Sequence, residues 1–366
     1  PFLESDGWME SNVQIEVPLG PQKGDHIFPA SAPLQVPGLQ HRNIVDVVKR
    51  VLSTDRNVLH YHLHPFRQYA APLDSLQSTL PQRVINDIYN SDAMIKEYEA
   101  LQRSPREPGC NFERVILALQ FWLDATQLAN FGSTKLWPVY MYFGNQPKWA
   151  RSRSDMHSCH DIAHIPLLLD SFQDFVCTQR GFPADAPLKT HCKHELFHKV
   201  WRILLDKKFV KAYKHGILIV FPDGSVRRVY LRIVTYSATP IIQRILIATI
   251  CNLGTCLCPR CLVQRHEIRK LGLKADAALR QRTRRTDDDK QKSLVKKAQK
   301  FIYKDRKRVG SVWVNALLGS LSLVPTKNAF SYRLHKLAFD YFHILCSDFM
   351  HEFELGGWKA ILLHLI

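Results

Sequence analysis

Three cysteines lie within six residues of this sequence, in the stretch "TCLCPRCLVQRH" at 255–266. Cys258 and Cys261 form a C-x-x-C pair, preceded by Cys256. Such a pair can bind one Zn²⁺ because the intervening turn points both sulfurs the same way. It supplies two of the four ligands of a zinc site, so the others must come from elsewhere, and His266 is the nearest candidate. A redox pair and ordinary core cysteines remain alternatives.

Two further groups of residues have the chemistry of zinc ligands. Asp348 and His351 are spaced i,i+3 in "DFMH", which places them on one face of a helix. The stretch "HYHLHPF" carries His60, His62 and His64 at alternating positions. A strand or loop with exposed imidazoles is the favoured interpretation of that stretch, with a zinc site as the alternative.

Two aspartates are candidates for a catalytic metal site. Asp124 closes the apolar run "RVILALQFWLD", where a buried and unpaired carboxylate would be costly. Beside other acids at neighbouring strand ends, it would hold Mg²⁺ for phosphoryl transfer. From spacing alone, however, an ordinary strand-end carboxylate facing water is the favoured interpretation. Asp223 lies in "FPDGSVRR", where Pro-Asp-Gly is also good turn chemistry with no catalytic role.

The elements that position these residues follow from the apolar pattern. Three apolar runs separated by turn signals predict adjacent strands of one buried sheet, at 114–128, 135–145 and 159–169. A long helical pattern at 188–216 follows, and 217–236 then predicts a strand, a turn and a strand. This is the element order of an RNase H-like α/β fold, although other α/β arrangements have the same order.

The rest of the chain is predicted to be largely helical. Helical periodicity marks 83–102, 241–254 and the stretch 330–366 on both sides of Gly356-Gly357. We divide the chain into a Pro/polar-rich and helical region, 1–110, and a core, 111–366. The core is expected to be incomplete at its C-terminal end, because the chain stops at Ile366 inside an apolar run.

The charge distribution indicates a polyanionic partner. The net charge is +17, and the segment 264–308 holds 17 Lys/Arg against 6 Asp/Glu. A basic field of this size favours nucleic acid first and an acidic membrane surface second, with a solvated, partly disordered loop as the alternative. We expect this basic segment to form helices, although it lacks a clear apolar stripe. No apolar stretch approaches the ~20 residues of a membrane span, so no membrane insertion is expected.

Four stretches of the chain are long and unusual: "DATQLANFGSTKLWPVYMYFGNQPKWARSR", "DGSVRRVYLRIVTYSAT", "LIATICNLGTCLCPRCLV" and "CSDFMHEFELGGWKAILLHLI". They resemble the Plavaka-type transposases of basidiomycete fungi, which are related to the KDZ transposases and more distantly to the CACTA group. The resemblance runs from about residue 40 to the chain end. It implies a DDE-type RNase H-like core, in which three acids hold Mg²⁺ for DNA strand cleavage and transfer.

Carried onto this sequence, the resemblance assigns Asp124 as the first acid. The second acid should follow the "DG" hairpin in an "ADYP"-like motif, but the corresponding stretch "TYSATP" has Thr239 at that position. A threonine offers no charged oxygen to a hard cation, so we expect an incomplete catalytic set, with Asp223 as a weak substitute. Glu352 and Glu354 are the only local stand-ins for the last acid.

The resemblance also pairs the C-x-x-C with a D/C-x-x-H motif. It implies structural zinc held by Cys258, Cys261 and His351, with Cys256 or Asp348 as the fourth ligand. Zinc would then fix the basic segment 264–308 to the core.

The resulting expectation is a nuclear, transposase-like protein with DNA as its partner and no small-molecule substrate. Processing two DNA ends together usually requires at least a dimer, so a homo-oligomer is expected. A zinc-stabilised DNA-binding protein without nuclease activity is the alternative, and a gene relic that does not fold stably is a third reading.

Overall fold

The computed structural model describes residues 2–22, 27–70, 81–123, 126–127, 135–250, 254–346, 353–354 and 358–365, and the structural statements below concern these residues. The strands, in chain order, are β1 (Trp8–Pro18), β2 (Ser31–Arg42), β3 (Gln68–Ala70), β4 (Gln82–Val84), β5 (Glu113–Leu123), β6 (Thr126–Gln127), β7 (Lys135–Phe143), β8 (His160–Ile165), β9 (Ile217–Val220) and β10 (Val226–Ala238).

The α-helices are α1 (Ile44–Thr54), α2 (Asp92–Arg103), α3 (Lys148–Arg151), α4 (Phe172–Arg180), α5 (Ala186–Leu204), α6 (Lys207–His215), α7 (Pro240–Leu246), α8 (Lys274–Arg282), α9 (Asp289–Tyr303), α10 (Val312–Leu318), α11 (Ala329–Leu334) and α12 (Lys359–Leu365). Short 3₁₀ turns cover Glu4–Asp6, Arg56–His60, Ile88–Asn90, Ser154–Met156, Arg265–Lys270, Gly319–Leu321, His335–Leu337 and Tyr341–Ile344.

One mixed sheet organises the fold, with strand order β1-β2-β8-β7-β5-β10-β9, while β6 pairs with β7 off this path. β5, β7 and β8 are neighbours and pair antiparallel, as the three successive apolar runs predicted. β10 lies parallel to β5 on its other side. β9 and β10 form the predicted hairpin around the Pro-Asp-Gly turn. The protein is therefore a mixed α/β protein.

The first 42 residues contain two strands, β1 and β2, that the sequence patterns above did not predict. β1 and β2 pair antiparallel over most of their length, and β2 joins the central sheet through β8. The stretch "VQIEV" explains why, because Val13, Ile15 and Val17 alternate with polar residues and are buried on one face. β1 and β2 thus continue the sheet formed by the strands after residue 110, whereas β3 and β4 pair with each other in a separate two-stranded sheet.

Two predicted helices are shorter than their periodicity suggested. The pattern at 188–216 is split into α5 and α6, because the Asp206 side chain accepts a hydrogen bond from the Phe209 amide and starts a new helix. The pattern at 241–254 gives only α7. Ala248 has a positive φ of 54°, and the chain after it pairs with residues 322–324 instead.

An aromatic cluster joins the sheet to the helices that cover it. The Trp201 ring of α5 lies 5.1 Å from Phe121 of β5, 5.4 Å from Tyr236 of β10 and 4.8 Å from Phe330 of α11, measured between ring centroids. These four side chains are almost fully buried. The cluster therefore fixes the relative positions of β5 and β10, which frame the candidate site.

Candidate functional site

The carboxyl ends of β5 and β10 lie side by side at one edge of the sheet. The parallel register pairs Tyr236 with Phe121 and ends with Ala238 opposite Leu123. Leu345 lies parallel to β10 on its far side, and the Cys346 amide donates to the Tyr236 carbonyl at 3.3 Å. Three chain segments therefore come together here, and the carboxyl ends of β5 and β10 share one edge.

The residues that follow these two strands are Asp124 and Thr239. Asp124 lies outside the described residues. Thr239 precedes α7, and its carbonyl accepts a hydrogen bond from the Gln243 amide at 2.9 Å. Its side chain ends in a neutral hydroxyl and a methyl group. The described part of this edge thus carries no carboxylate at the end of β10.

Asp223 is not brought to this edge. It lies before the start of β10, and at about 3.3 Å per residue the 13-residue strand places it roughly 40 Å from Ala238. Its carboxylate accepts from the Ser225 amide at 2.9 Å and pairs with Arg227 at 2.8 Å. The bond from Arg227 lowers the pKa of Asp223 to about 2. These contacts hold the β9–β10 turn together.

The three cysteines fall into two environments. The Cys261 thiol donates a hydrogen bond to the Cys258 sulfur, which lowers the pKa of Cys258 and raises that of Cys261. The Arg260 amide also donates to Cys258, at 3.3 Å, and the Arg280 guanidinium lies 3.7 Å from Cys261. Cys256 instead directs its thiol to backbone carbonyls, at 3.3 Å and 3.4 Å. The C-x-x-C sulfurs face each other, and Cys256 does not join them.

The remaining predicted zinc ligands lie apart or outside the described residues. Asp348 and His351 belong to the latter group. Burial raises the pKa of the Cys346 thiol, and the nearby Arg260 cation partly opposes this shift. Cys346 therefore lies near the cysteine loop. His266 is exposed and faces Glu267 at 3.1 Å. Among the described residues, no three His, Cys, Asp or Glu side chains converge on a metal position.

The histidines of "HYHLHPF" lie on a 3₁₀ turn and the loop after it. His64 is exposed, and its ring contacts the Tyr98 hydroxyl at 2.8 Å and Glu113 at 2.9 Å. His62 packs against the Phe66 ring at 4.9 Å. The interpretation as a loop with partly exposed imidazoles is confirmed, and these side chains point to different partners.

The basic segment 264–308 is folded onto the core. α9 packs its Val295, Ala298 and Ile302 against α10. Most of its lysines are exposed, whereas the ammonium nitrogen of Lys292 is buried. This i,i+3,i+7 stripe was present in the sequence but was hidden by the density of lysines around it. The Arg285 side chain is buried and donates to the carbonyls of Cys258, at 3.3 Å, and Leu321, at 2.8 Å. The buried Arg285 guanidinium thus links the basic segment to the cysteine loop.

Three buried histidines on α5 were missed by the sequence analysis. Burial lowers the pKa of His191 to about 3, of His194 to about 4 and of His198 to about 3. His198 accepts from the Ala329 amide at 3.2 Å, and its other ring nitrogen contacts the Ile245 carbonyl at 2.9 Å. Their i,i+3,i+7 spacing on an apolar helix was the available signal, and the contacts of His198 connect α5 to α7 and α11.

The chain is a mixed α/β protein, in which the neighbouring parallel strands β5 and β10 end together. A basic helical segment packs onto the same core. The model of the Plavaka transposase family matches residues 17–366, and the chain belongs to that family. Its function is transposase-like and its family implies binding to DNA. No curated protein has a sequence that matches this chain. None of the described helices has the length and apolar composition needed to cross a bilayer.

Proposed function

We propose that this protein is a transposase-like DNA-processing protein that binds DNA and whose set of catalytic acids is incomplete. The observation that carries the proposal is the register of β5 and β10, which end together at Leu123 and Ala238 and are followed in sequence by Asp124 and Thr239. An acid at each of these two positions would lie at one sheet edge. This chain has an acid at only one of them.

The strand arrangement supports an RNase H-like core. In the order β8-β7-β5-β10, the first three strands pair antiparallel and the fourth is parallel to β5. The parallel bridge between Tyr236 and Leu345 adds a fifth chain segment next to β10. This strand order supports the RNase H-like fold that the order of elements along the sequence predicted.

The donor set at the edge does not fit a complete magnesium site. Mg²⁺ prefers carboxylate oxygens in near-octahedral geometry, and it would supply charge neutralisation for phosphoryl transfer. Thr239 provides no charged oxygen, Asp223 lies at the far end of β10, and Glu354 is exposed on a separate segment. We therefore propose that strand cleavage is impaired in this chain and that DNA binding is retained.

The cysteine loop fits half of a zinc site. Cys258 and Cys261 present adjacent sulfurs, and the proximity of Arg260 to Cys346 brings the chain just before Asp348 close to this loop. We propose Cys258, Cys261 and His351 as ligands with Asp348 as the fourth, because the Cys256 thiol is directed to carbonyl groups. Metal analysis of the purified protein tests this: one zinc per chain, lost in Cys258→Ser and kept in Cys256→Ser, is expected. A zinc-free native protein would refute it.

Thr239→Asp tests the incomplete catalytic set. The substitution restores a carboxylate at the end of β10, so we expect weak Mg²⁺-dependent nicking of duplex DNA where the native chain gives none, because two acids hold the metal less firmly than the three of a complete set. Adding Asp124→Asn to this variant should abolish the nicking, because it removes the other acid. Plasmid relaxation on agarose gels measures the nicking activity. This assay tests DNA processing in vitro, whereas the location we propose for the protein in the cell is the nucleus.

Ser237→Asp is the matched control. It adds the same charge two residues earlier on the same strand, opposite Trp122 in the register, and should give no nicking. Nicking by the native chain would contradict the proposal that the catalytic set is incomplete. DNA binding without nicking by Thr239→Asp would favour the alternative, a zinc-stabilised DNA-binding protein without nuclease activity.

A further inference from the structure

A cavity of about 310 Å³ opens between the basic segment 264–308 and the chain around α11. This volume is at the lower end of the roughly 300–1,000 Å³ range of small-ligand sites. Its apolar floor is formed by Ala248, Val295, Leu323 and the Tyr341 ring, which are at most 8% exposed. A flat apolar group could be buried on this floor.

Asp287 lines the cavity and retains an unused hydrogen-bonding oxygen. The residue is 8% exposed, and its Oδ1 accepts from the Ser331 hydroxyl at 2.8 Å. Its Oδ2 is buried and has no hydrogen-bond partner among the described residues, while His335 Nδ1 lies 3.4 Å away. A buried acceptor without a hydrogen-bond donor destabilises the protein, because its desolvation is not compensated. A ligand with an N–H group would supply the missing donor.

The mouth of the cavity is basic. Lys296, Lys327 and Lys336 line it with exposed side chains, and within the described ranges they have no carboxylate oxygen within 4.0 Å. Lys292 also lines it and pairs with Asp289 at 3.0 Å. Three ammonium groups that form no ion pair within the described ranges lie at one opening, and they favour an anionic ligand such as a phosphate.

We infer that this cavity binds a single nucleotide, with its base on the apolar floor, a base amino group directed to Asp287 and its phosphate among Lys296, Lys327 and Lys336. A carboxylate accepts well from a base amino group, and burial of a base against aromatic and apolar side chains is tolerant of sequence. A phosphate alone would leave the apolar floor unused. A purely apolar ligand would leave Asp287 unsatisfied.

The nucleotide has two sources, a strand of the bound DNA or free nucleotide in solution. The DNA source rests on the proposed function and deepens it, because the cavity borders the basic segment expected to follow the phosphate backbone. A base can enter from DNA only if it is unpaired and unstacked, which costs least at a bulge or mismatch. The protein should therefore prefer DNA that contains an unpaired adenine.

The experiment compares two labelled duplexes that differ by one base. One carries a single bulged adenosine, and the other carries an abasic sugar-phosphate at the same place. Stacking of one base strengthens binding, so we expect about tenfold tighter binding of the bulged adenosine duplex by fluorescence anisotropy. In Lys296→Ala/Lys336→Ala and in Asp287→Asn the two affinities should become equal.

Lys297→Ala/Lys300→Ala is the matched control on the same helix. Both residues are exposed on α9 and lie outside the cavity lining. This variant should weaken binding of both duplexes by the same factor and keep their ratio. Thermal melting checks the fold of Asp287→Asn; should that variant unfold, the surface lysine variants carry the comparison.

Titration with deoxyadenosine monophosphate, with inorganic phosphate as the control, forms the second arm. Binding that is lost in Lys296→Ala/Lys336→Ala supports the cavity as a nucleotide site whatever happens with DNA. If the native protein binds both duplexes equally and binds no deoxyadenosine monophosphate, the inference is overturned while the proposed function stands. If it binds no DNA but binds the monophosphate through these lysines, the proposed function fails and the nucleotide site stands.

Discussion

Gly216 sits between α6 and β9 in a backbone conformation that other residues rarely adopt. Its φ is +66° and its ψ is 171°, a region essentially restricted to glycine. A Cβ there would lie 2.8 Å from Arg228 Cγ and 3.0 Å from Tyr230 Cε2. The turn into the β9–β10 hairpin therefore depends on the missing side chain.

We expect Gly216→Ala to lower the free energy of unfolding by about 2–3 kcal/mol, because backbone strain and a steric clash act together. Urea unfolding followed by circular dichroism measures this. Gly38→Ala is the control, since Gly38 has a φ of +84° but no atom within 4 Å of an added Cβ. It should cost about 1 kcal/mol. Equal losses in the two variants would contradict a steric role at Gly216.

At the scale of elements, α5 carries a pH dependence. His191, His194 and His198 are buried in uncharged form, and their pKa values of about 3 to 4 lie far below the value near 6.5 expected in the unfolded chain. Folding stability from these groups is present above pH 6.5. It is lost as the pH falls from 6.5 towards 4, because the unfolded chain then binds protons that the folded protein excludes.

Each buried histidine is expected to reduce the free energy of unfolding by up to about 1.4 kcal/mol per pH unit in this window. Glu195 on the same helix opposes this, since burial raises its pKa and the folded form holds its proton longer. One glutamate offsets one histidine at most, so stability should still fall. Urea unfolding at pH 7.5 and 5.5 tests this.

His198→Gln separates titration from packing in that measurement. The glutamine amide can still donate to the Ile245 carbonyl but binds no proton in this range. We expect the drop in stability between the two pH values to shrink by about the share of one histidine. An unchanged drop would mean that His198 does not contribute to the acid sensitivity.

For the whole molecule, the distribution of charge determines DNA affinity. Most of the net charge of +17 is concentrated in the basic segment 264–308, where α9 and the residue that follows it present Lys297, Lys300 and Lys304 as exposed side chains. Lysines that neutralise DNA phosphates release counterions, so the logarithm of the binding constant falls with the logarithm of salt by about 0.9 per phosphate contacted. Removing lysines that contact DNA phosphates should therefore change how steeply the DNA-binding constant depends on salt.

Replacing Lys297, Lys300 and Lys304 by glutamine should reduce the magnitude of this salt slope by about 2–3. The control replaces Lys207, Lys211 and Lys214, which lie at similar spacing on one exposed face of α6. That variant removes the same charge from the molecule and should leave the slope nearly unchanged. If both variants lowered the slope equally, net charge rather than the surface of α9 would control binding.

The fold was predictable where local chemistry determined it. The Pro-Asp-Gly turn and the apolar runs of β5, β7 and β8 were found because turn preferences and side-chain periodicity depend on near neighbours in sequence. The hairpin of β1 and β2 and the break before Asp206 were missed, although "VQIEV" and a capping aspartate were available signals. Dense lysines similarly hid the apolar stripe of α9.

The candidate site was predictable only in its components. Sequence alone determined the C-x-x-C spacing, the basic charge and the threonine at position 239, because these are properties of residue type and order. Only the tertiary structure decided that β5 and β10 end together, that Asp223 lies at the opposite end of β10, and that Asp287 faces a cavity with an unused oxygen. Strand register and cavity lining arise from burial between segments far apart in the chain, and no local pattern encodes such pairings.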